Sequence, residues 1–506
     1  MAAHPLDRRA FLQLAAAGTA TMALPRCGGL GTRARPNVLF VFADQLRADA
    51  CSVYGGRDIT TPNIDRLASE GALFTNSVSS CPLCTPYRGM LQTGRYPTHS
   101  GIVMNFVEAS HAQNPHCLAD VLGAAGYATG FIGKWHLSAG WHREEGLYQE
   151  NLDAIASYQS RNPETEYVAP GPGRLGYRHW QAYNLHLDYN NYWFYEDEPQ
   201  RLTSGRYETD TEIDQTIAHM EKCRQTGQPF FLCVAPHPPH PPFGVQSVPA
   251  GYLSRVTATP WRPPNVPADY ARSDLEVRCY LAMTLNLDDN VGRLLAYLDG
   301  SGLAADTIVV LSSDHGEMFG SHGRVNKLVA YAESINIPLV VRWPGHIPAG
   351  LRLDALQTPM DHLPSLCGLL GLPIPPEVDG VDLSAVLLGH DRDTREEVLM
   401  GLYSAAADYF QTGTYVPEWR GVKTKQYTYC QWLAGAEELY DNLQDPFQMT
   451  NLAADGAAPE ILVRLRSRLS DLRAEAHDDF RPGTGYAAWY DERRNLVQTA
   501  LGPVPR

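Results

Sequence analysis

The chain has 506 residues, 44% of them hydrophobic and 19% charged, which is enough to bury one large domain with a smaller one and gives no sign of disorder. Its formal net charge of -15 excludes general binding to nucleic acid, which needs an excess of Lys and Arg, so any anion site has to be a local cluster working against the overall field. Ten cysteines over this length are no disulfide framework.

The N-terminus reads "LDRRAFLQLAAAGTATMALP". Arg8 and Arg9 precede a short, mildly apolar run that ends in small residues and proline, the pattern of a twin-arginine export signal over residues 1–30. The run is too short to span a membrane and no other candidate follows it. The sequence therefore predicts a protein exported already folded, to a bacterial periplasm, and not an integral membrane protein. Cys27 raises the question of a lipid anchor, but Arg26 before it fits a lipoprotein cleavage site badly.

After Pro36, "NVLFVFADQ" is a continuous apolar run, the mark of a buried parallel strand, and it delivers Asp44 and Gln45 at its C-terminal end. Ligands bind at such ends. "TTPNIDRLASEGALFTNSV" gives a helix and then a short strand. Next comes "CPLCTPYRGMLQTGR", with two cysteines beside two prolines. A Cys81–Cys84 disulfide would need a strained loop, and a zinc knuckle would need a second ligand pair that the chain does not offer. Small apolar residues capping a helix remain the plain alternative.

"YATGFIGKWH", "PFFLCVAPHPPHPPF" and "DTIVVLSSDHGEMFGSHG" repeat the first scheme, an apolar strand running into Lys, His or Asp. The long amphipathic helix "DLEVRCYLAMTLNLDDNVGRLLAYLDG" precedes the last of them. The fold class expected is α/β, a doubly wound, mostly parallel sheet with helices on both faces, over residues 36–390. Residues 140–228, rich in Gly, Pro, Tyr and Trp, read as an insertion over the strand ends. Residues 391–506 read as a smaller α+β subdomain, with antiparallel strands in "RGVKTKQYTYCQW" and "EELYDNLQDPFQMTNLA" and a helix through "EILVRLRSRLSDLRAEA".

The polar groups at the strand ends fall into two sets. Asp44, Gln45, Asp314 and His315 suit a hard divalent cation, Ca²⁺ or Mg²⁺, and the imidazole widens the choice to Mn²⁺. Lys134, His136, His240 and Lys327 are the cationic or proton-donating groups that a tetrahedral anion needs around it. Singly each has a bland reading, as a turn, a surface lysine or a hydrogen-bonded loop histidine. Their recurrence at successive strand ends gives them weight.

With these residues assembled, the chain resembles the type I sulfatase family of the alkaline-phosphatase-like superfamily. Cys84, Pro86 and Arg88 match its C-x-P-x-R signature, and "GMLQTGRYPTHSGI", "AAGYATGFIGKWHL", "SDHGEMFGSHGRVNK" and "IPLVVRWPG" extend the likeness over nearly the whole chain after the signal. The resemblance implies that a separate maturation enzyme oxidises Cys84 to formylglycine, with Cys81 a bystander. The aldehyde hydrate then offers one hydroxyl to attack sulfur and a second whose proton is lost so that sulfate leaves by elimination. It also implies one divalent metal, Ca²⁺ first and Mg²⁺ or Mn²⁺ as alternatives, held by Asp44, Gln45, Asp314, His315 and the modified Cys84. Arg88 and Lys134 would hold the formylglycine and metal-side oxygens, and His136 would be the base for the second hydroxyl. His240 and Lys327 would bind sulfate and protonate the leaving oxygen, with His237 the rival to His240.

Two departures leave alternatives open. Asp44-Gln45 stands where many sulfatases carry Asp-Asp, and Asp314-His315 stands where they carry Asp-Asn. Some choline sulfatases and phosphonate monoester hydrolases look similar here. A phosphonate monoester or phosphodiester hydrolase on the same scaffold is therefore the runner-up to a sulfuric ester hydrolase. A noncatalytic glycan-binding relative stands third, because every catalytic position is filled. For substrate, "HWQAYNLHLDYNNYWFY" mixes flat rings with amides and acids, as sugar sites do, so Asn184, His186 and Trp193 are the candidate contacts for a sulfated saccharide, while a sulfated small molecule would not use them. The alternative is an aromatic strand pair packed on the main sheet.

Overall fold

A computed structural model describes residues 35–140, 166–391, 395–407 and 415–505. The export signal and the first part of the expected insertion lie outside them. The first strand, β1 (Asn37–Ala43), is buried along its whole length. Its side chains alternate between two cores, as the two-residue period of a strand requires. Val38, Phe40 and Phe42 enter one cluster with Tyr87, Leu118 and Leu363. Leu39 and Val41 enter another with Ile64, Ile213 and Leu281. Helices therefore cover both faces: Pro62–Ser69, Glu208–Thr226 and Asp274–Ser301 on one, and Cys84–Thr93, Leu118–Ala124 and His362–Leu370 on the other.

The remaining strands of this sheet are β2 (Ala72–Ser77), β3 (Ala128–Lys134), β4 (His179–Tyr183), β7 (Phe230–Ala235), β8 (Thr307–Ser313), β9 (Leu339–Arg342) and β10 (Leu351–Gln357), while β5 (Trp193–Phe194) and β6 (Leu202–Thr203) pair only with each other. The eight-stranded order is β10-β2-β9-β8-β1-β7-β3-β4. All neighbours run parallel except β9, which is antiparallel to both β2 and β8. The sheet is thus mostly parallel, as expected, and β1 lies well inside it, where ligand crevices form.

The segment read as an insertion contributes to the sheet itself. β4 lies in parallel register with β3, Phe131 opposite Trp180, and Trp180 and Ala182 alternate into the same core as Phe131. Helix Glu208–Thr226 packs on the sheet through Ile213 and Met220. The aromatics of this stretch close an edge of the sheet.

Toward the C-terminus, β11 (Glu397–Leu402), β14 (Trp419–Thr424), β15 (Tyr427–Trp432) and β16 (Glu437–Asp441) form an antiparallel sheet, with the two-residue strands β12 (Ala406–Ala407) and β13 (Tyr415–Val416) paired beside it. Helix Pro459–Glu475 lays Leu462, Leu465, Leu469 and Leu472 on one face, against Leu399, Val422 and Tyr429. The other face carries Met400, Trp419 and Cys430, packed with Leu328 and Val329. Trp419 Nε1 donates to the Leu328 carbonyl at 2.7 Å, so the small sheet supports the loop that carries Lys327. No helix among the described residues is long and apolar enough to cross a membrane.

Replacing Trp419 by Phe keeps the ring in the core and leaves the Leu328 carbonyl without its donor. The substitution should lower the unfolding free energy by about 1–3 kcal/mol, read from the denaturant midpoint. An unchanged midpoint would mean that this contact does not hold the loop.

Candidate active site

β1 and β8 are neighbours with Ala43 opposite Ser313, so the residues that follow, Asp44 and Asp314, leave the sheet side by side. Both are fully buried. Arg88 Nη2 reaches Asp44 Oδ2 at 3.1 Å and Asp314 Oδ2 at 3.4 Å, and its Nη1 donates to the Lys134 carbonyl. Lys134, the last residue of β3, places Nζ 2.6 Å from Asp44 Oδ2. Cys84 opens the helix Cys84–Thr93, with Sγ 3.2 Å from His315 Nε2, 3.8 Å from Asp44 Oδ1 and 4.0 Å from Lys134 Nζ. Gly316 lets the turn after His315 close, since a Cβ there would meet the Glu333 carbonyl oxygen at 1.9 Å.

One donor atom from each of Asp44, Cys84, Asp314 and His315 lies within 4.8 Å of the others, all buried. That donor set fits a divalent cation. Burial opposes the Asp44 charge, but Lys134 and the neighbouring cationic groups outweigh it and hold the carboxyl well below its usual range. Burial and then the Asp44 charge push Asp314 upward. Two acidic groups driven apart in this way are what a shared cation would satisfy. Burial, helped by Asp44, also pushes the Cys84 thiol up to about 12. The unmodified thiol is therefore protonated and a poor nucleophile.

His136 follows β3 in left-handed backbone at φ 52°. Both its ring nitrogens are buried with no partner among the described residues. Burial, then Lys134 and Arg88, keeps the ring well below its ordinary value and so neutral. His240 is half-buried, with Nδ1 2.7 Å from the Pro241 carbonyl and Nε2 3.4 Å from Lys327 Nζ. His237 is fully buried, its Nε2 2.9 Å from Lys134 Nζ. The fold thus brings Cys84, Arg88, Lys134, His136, His240, Lys327, Asp44, Asp314 and His315 to one end of the sheet.

Gln45 follows Asp44 directly, and its backbone N–H donates to Asp314 Oδ1 at 2.9 Å. Its Oε1 accepts from Lys327 Nζ at 2.8 Å, and its Nε2 donates to Glu317 and, at 3.3 Å, to Asn326. Where a second carboxylate was the family pattern, the amide contacts Lys327 beside the donor cluster. Two of the three saccharide candidates, Asn184 and His186, are buried. Asn184 bonds the Ser138 backbone in both directions, accepting at 3.2 Å and donating at 3.1 Å. His186 is fully buried, its ring 3.9 Å from Tyr183 and 4.1 Å from Trp193. The Trp193 ring also carries the Arg201 guanidinium at 4.2 Å. Asn184 and His186 are taken up inside the fold, which favours the strand-pair alternative for them, while Trp193 is half-buried.

Sequence reasoning missed the buried carboxylates around the site. Glu317 accepts from Gln45 and from the backbone N–H of Phe319 and Asn326. Glu208 accepts from Tyr183 Oη and, at 3.3 Å, from the His237 N–H. The only available signal was a pair of glutamates four apart at the start of helix Glu208–Thr226, which reads as a solvated first turn.

Cationic groups gathered around a thiol, at the strand ends of an α/β sheet, define a hydrolase of tetrahedral anionic esters. Comparison narrows the class: the sulfatase family model matches residues 36–372, and the model of the N-sulphoglucosamine sulphohydrolase C-terminal region matches residues 320–475. The chain belongs to the sulfatase family, within the alkaline-phosphatase-like proteins. It is 32% identical to an ulvan-active sulfatase of Formosa agariphila, over 90% of this chain and 84% of that one. An endo-4-O-sulfatase of Bacteroides thetaiotaomicron is 28% identical, over 90% and 94%. A solved structure from Bacteroides thetaiotaomicron, described with the metabolism of multiple glycosaminoglycans, matches with a TM-score of 0.75 at 28% identity, over 89% of this chain and 98% of that one.

Burial raises Glu208 from 4.5 to about 8, so the folded state keeps a proton that the unfolded chain loses first. Stability should fall as pH rises through that window. Glu208→Gln keeps an acceptor for Tyr183 and removes the titration, so its melting temperature should gain on wild type from pH 5 to pH 8. A constant difference across that range would show that Glu208 is ionised in the folded protein.

Proposed function

We propose that the protein is a sulfuric ester hydrolase acting on a sulfate monoester of a saccharide, with formylglycine made from Cys84 as its nucleophile. One observation carries the reading: the cysteine of the C-x-P-x-R signature opens a helix among Asp44, His315 and Lys134. The names of the relatives support the saccharide. The pattern at Arg8 and Arg9 supports export to the periplasm after folding.

A divalent cation held by Asp44, Gln45, Asp314, His315 and the modified residue 84, Ca²⁺ in this reading, would supply positive charge beside the nucleophile. The chain's own residues do the rest. Arg88 and Lys134 fix Asp44 and the oxygens next to it. His136, neutral and with no hydrogen-bond partner for its ring nitrogens among the described residues, accepts the proton of the second hydroxyl, which lets sulfate leave by elimination. Lys327 and His240, on the more open side, hold the sulfate oxygens and return a proton to the leaving alcohol. A thiol at Cys84 has no second hydroxyl to give up a proton and cannot follow this route, so a maturation enzyme is a partner in this reading.

Mass spectrometry of the peptide around residue 84, taken from active protein, should show an aldehyde in place of the thiol. Cys84→Ala should fold and lose sulfate release by at least about 10³-fold, the scale of a lost covalent nucleophile, while Cys81→Ala keeps most activity. Full activity from protein carrying only thiol at Cys84 would overturn the mechanism. Faster turnover of a phosphonate monoester than of any sulfate ester would overturn the substrate class.

A further inference from the structure

Lys134 is fully buried and its ammonium needs an acceptor for each N–H it points inward. Asp44 Oδ2 takes one at 2.6 Å, and His237 Nε2 lies 2.9 Å away. An ammonium has donors only, so Nε2 has to be the acceptor and the ring proton has to sit on Nδ1. We infer that His237 is a positioning residue: a neutral imidazole that accepts from Lys134 and aims its ammonium at residue 84. The inference rests on the proposed reaction, in which Lys134 serves the nucleophile.

Nδ1 of His237 is buried with no hydrogen-bond partner among the described residues, so the ring is held by its backbone, by Lys134 and by packing. Its backbone N–H bonds Glu208 Oε1 at 3.3 Å. The Tyr189 ring meets it edge-on at 5.3 Å, and His240 lies against it at 4.4 Å. Tyr189 Oη also donates to the carbonyls of His240 and Pro241, at 2.8 and 2.6 Å, pinning the loop that follows. His240 is half-buried where His237 is fully buried, so His240 is the more exposed of the two and is assigned the substrate side. Without the acceptor, a flexible lysine side chain is free to settle on Asp44 alone, away from residue 84. The loss should therefore fall on the chemical step and spare substrate binding.

His237→Gln puts an amide oxygen near the place of Nε2, whereas His237→Met fills similar space with no strong acceptor. On whichever ester wild type turns over fastest, sulfate or phosphonate, the Met variant should lose about 10- to 100-fold in kcat, the scale of one hydrogen bond to a charged group. Its KM should stay within about twofold, and the Gln variant should recover most of the rate. The ester class is read from wild type alone, so an error there is distinguishable from an error about His237. Equal kcat losses in both variants, or wild-type kcat in a folded Met variant, would overturn the inference. A crystal structure of the Gln variant decides the matter independently of the Met variant's folding: the amide should lie within hydrogen-bond distance of Lys134 Nζ. An amide turned away at wild-type kcat would also overturn it.

Discussion

Two carboxylates, Asp44 and Asp314, are forced into one buried space because they continue adjacent parallel strands paired at Ala43 and Ser313. Their mutual repulsion in a low-dielectric interior has to be offset. Arg88 binds both, and Lys134 binds Asp44. Each cation is supplied by a different element, the helix Cys84–Thr93 and the strand β3, so the electrostatic balance also fixes those elements against β1 and β8. The thiol of Cys84 sits where the fields of the acids and the cations meet, and its surroundings favour an uncharged species there until the residue is modified.

A second layer sustains the first. Gln45 and Glu317 hold Lys327 from behind, and the C-terminal sheet holds the next residue through Trp419. On the other side, Glu208 and Tyr189 fix the His237–His240 loop. The groups assigned to sulfate are thus carried on loops whose backbones are bonded to neighbouring elements, which keeps them aimed without substrate present.

Much of this was legible because it is written in local patterns. The alternation of β1 into two cores follows from a run of large apolar residues, and a catalytic sheet places its polar groups where such runs stop. The C-x-P-x-R match points to Cys84 through a family resemblance, and the fold places that residue among Asp44, His315 and Lys134. Long-range pairing was not legible. The aromatic stretch 179–195 reads equally as a sugar platform or as a sheet edge, and only the register of β4 with β3 decides for the edge. The antiparallel β9 has no local mark either. The contact between the Gln45 amide and Lys327, 282 residues further on, has no local mark in the sequence.

The claim on which the account turns is that Asp44 and Asp314 share a divalent cation with His315 and residue 84. Metal analysis of purified wild type beside Asp314→Asn, which keeps shape and removes one charge, addresses it most directly. Wild type should carry one divalent ion per chain, and Asp314→Asn should lose that ion and sulfate release together while it stays folded and keeps the modified residue 84. Full metal content in Asp314→Asn, or undiminished activity in wild type stripped of divalent ions, would contradict the account.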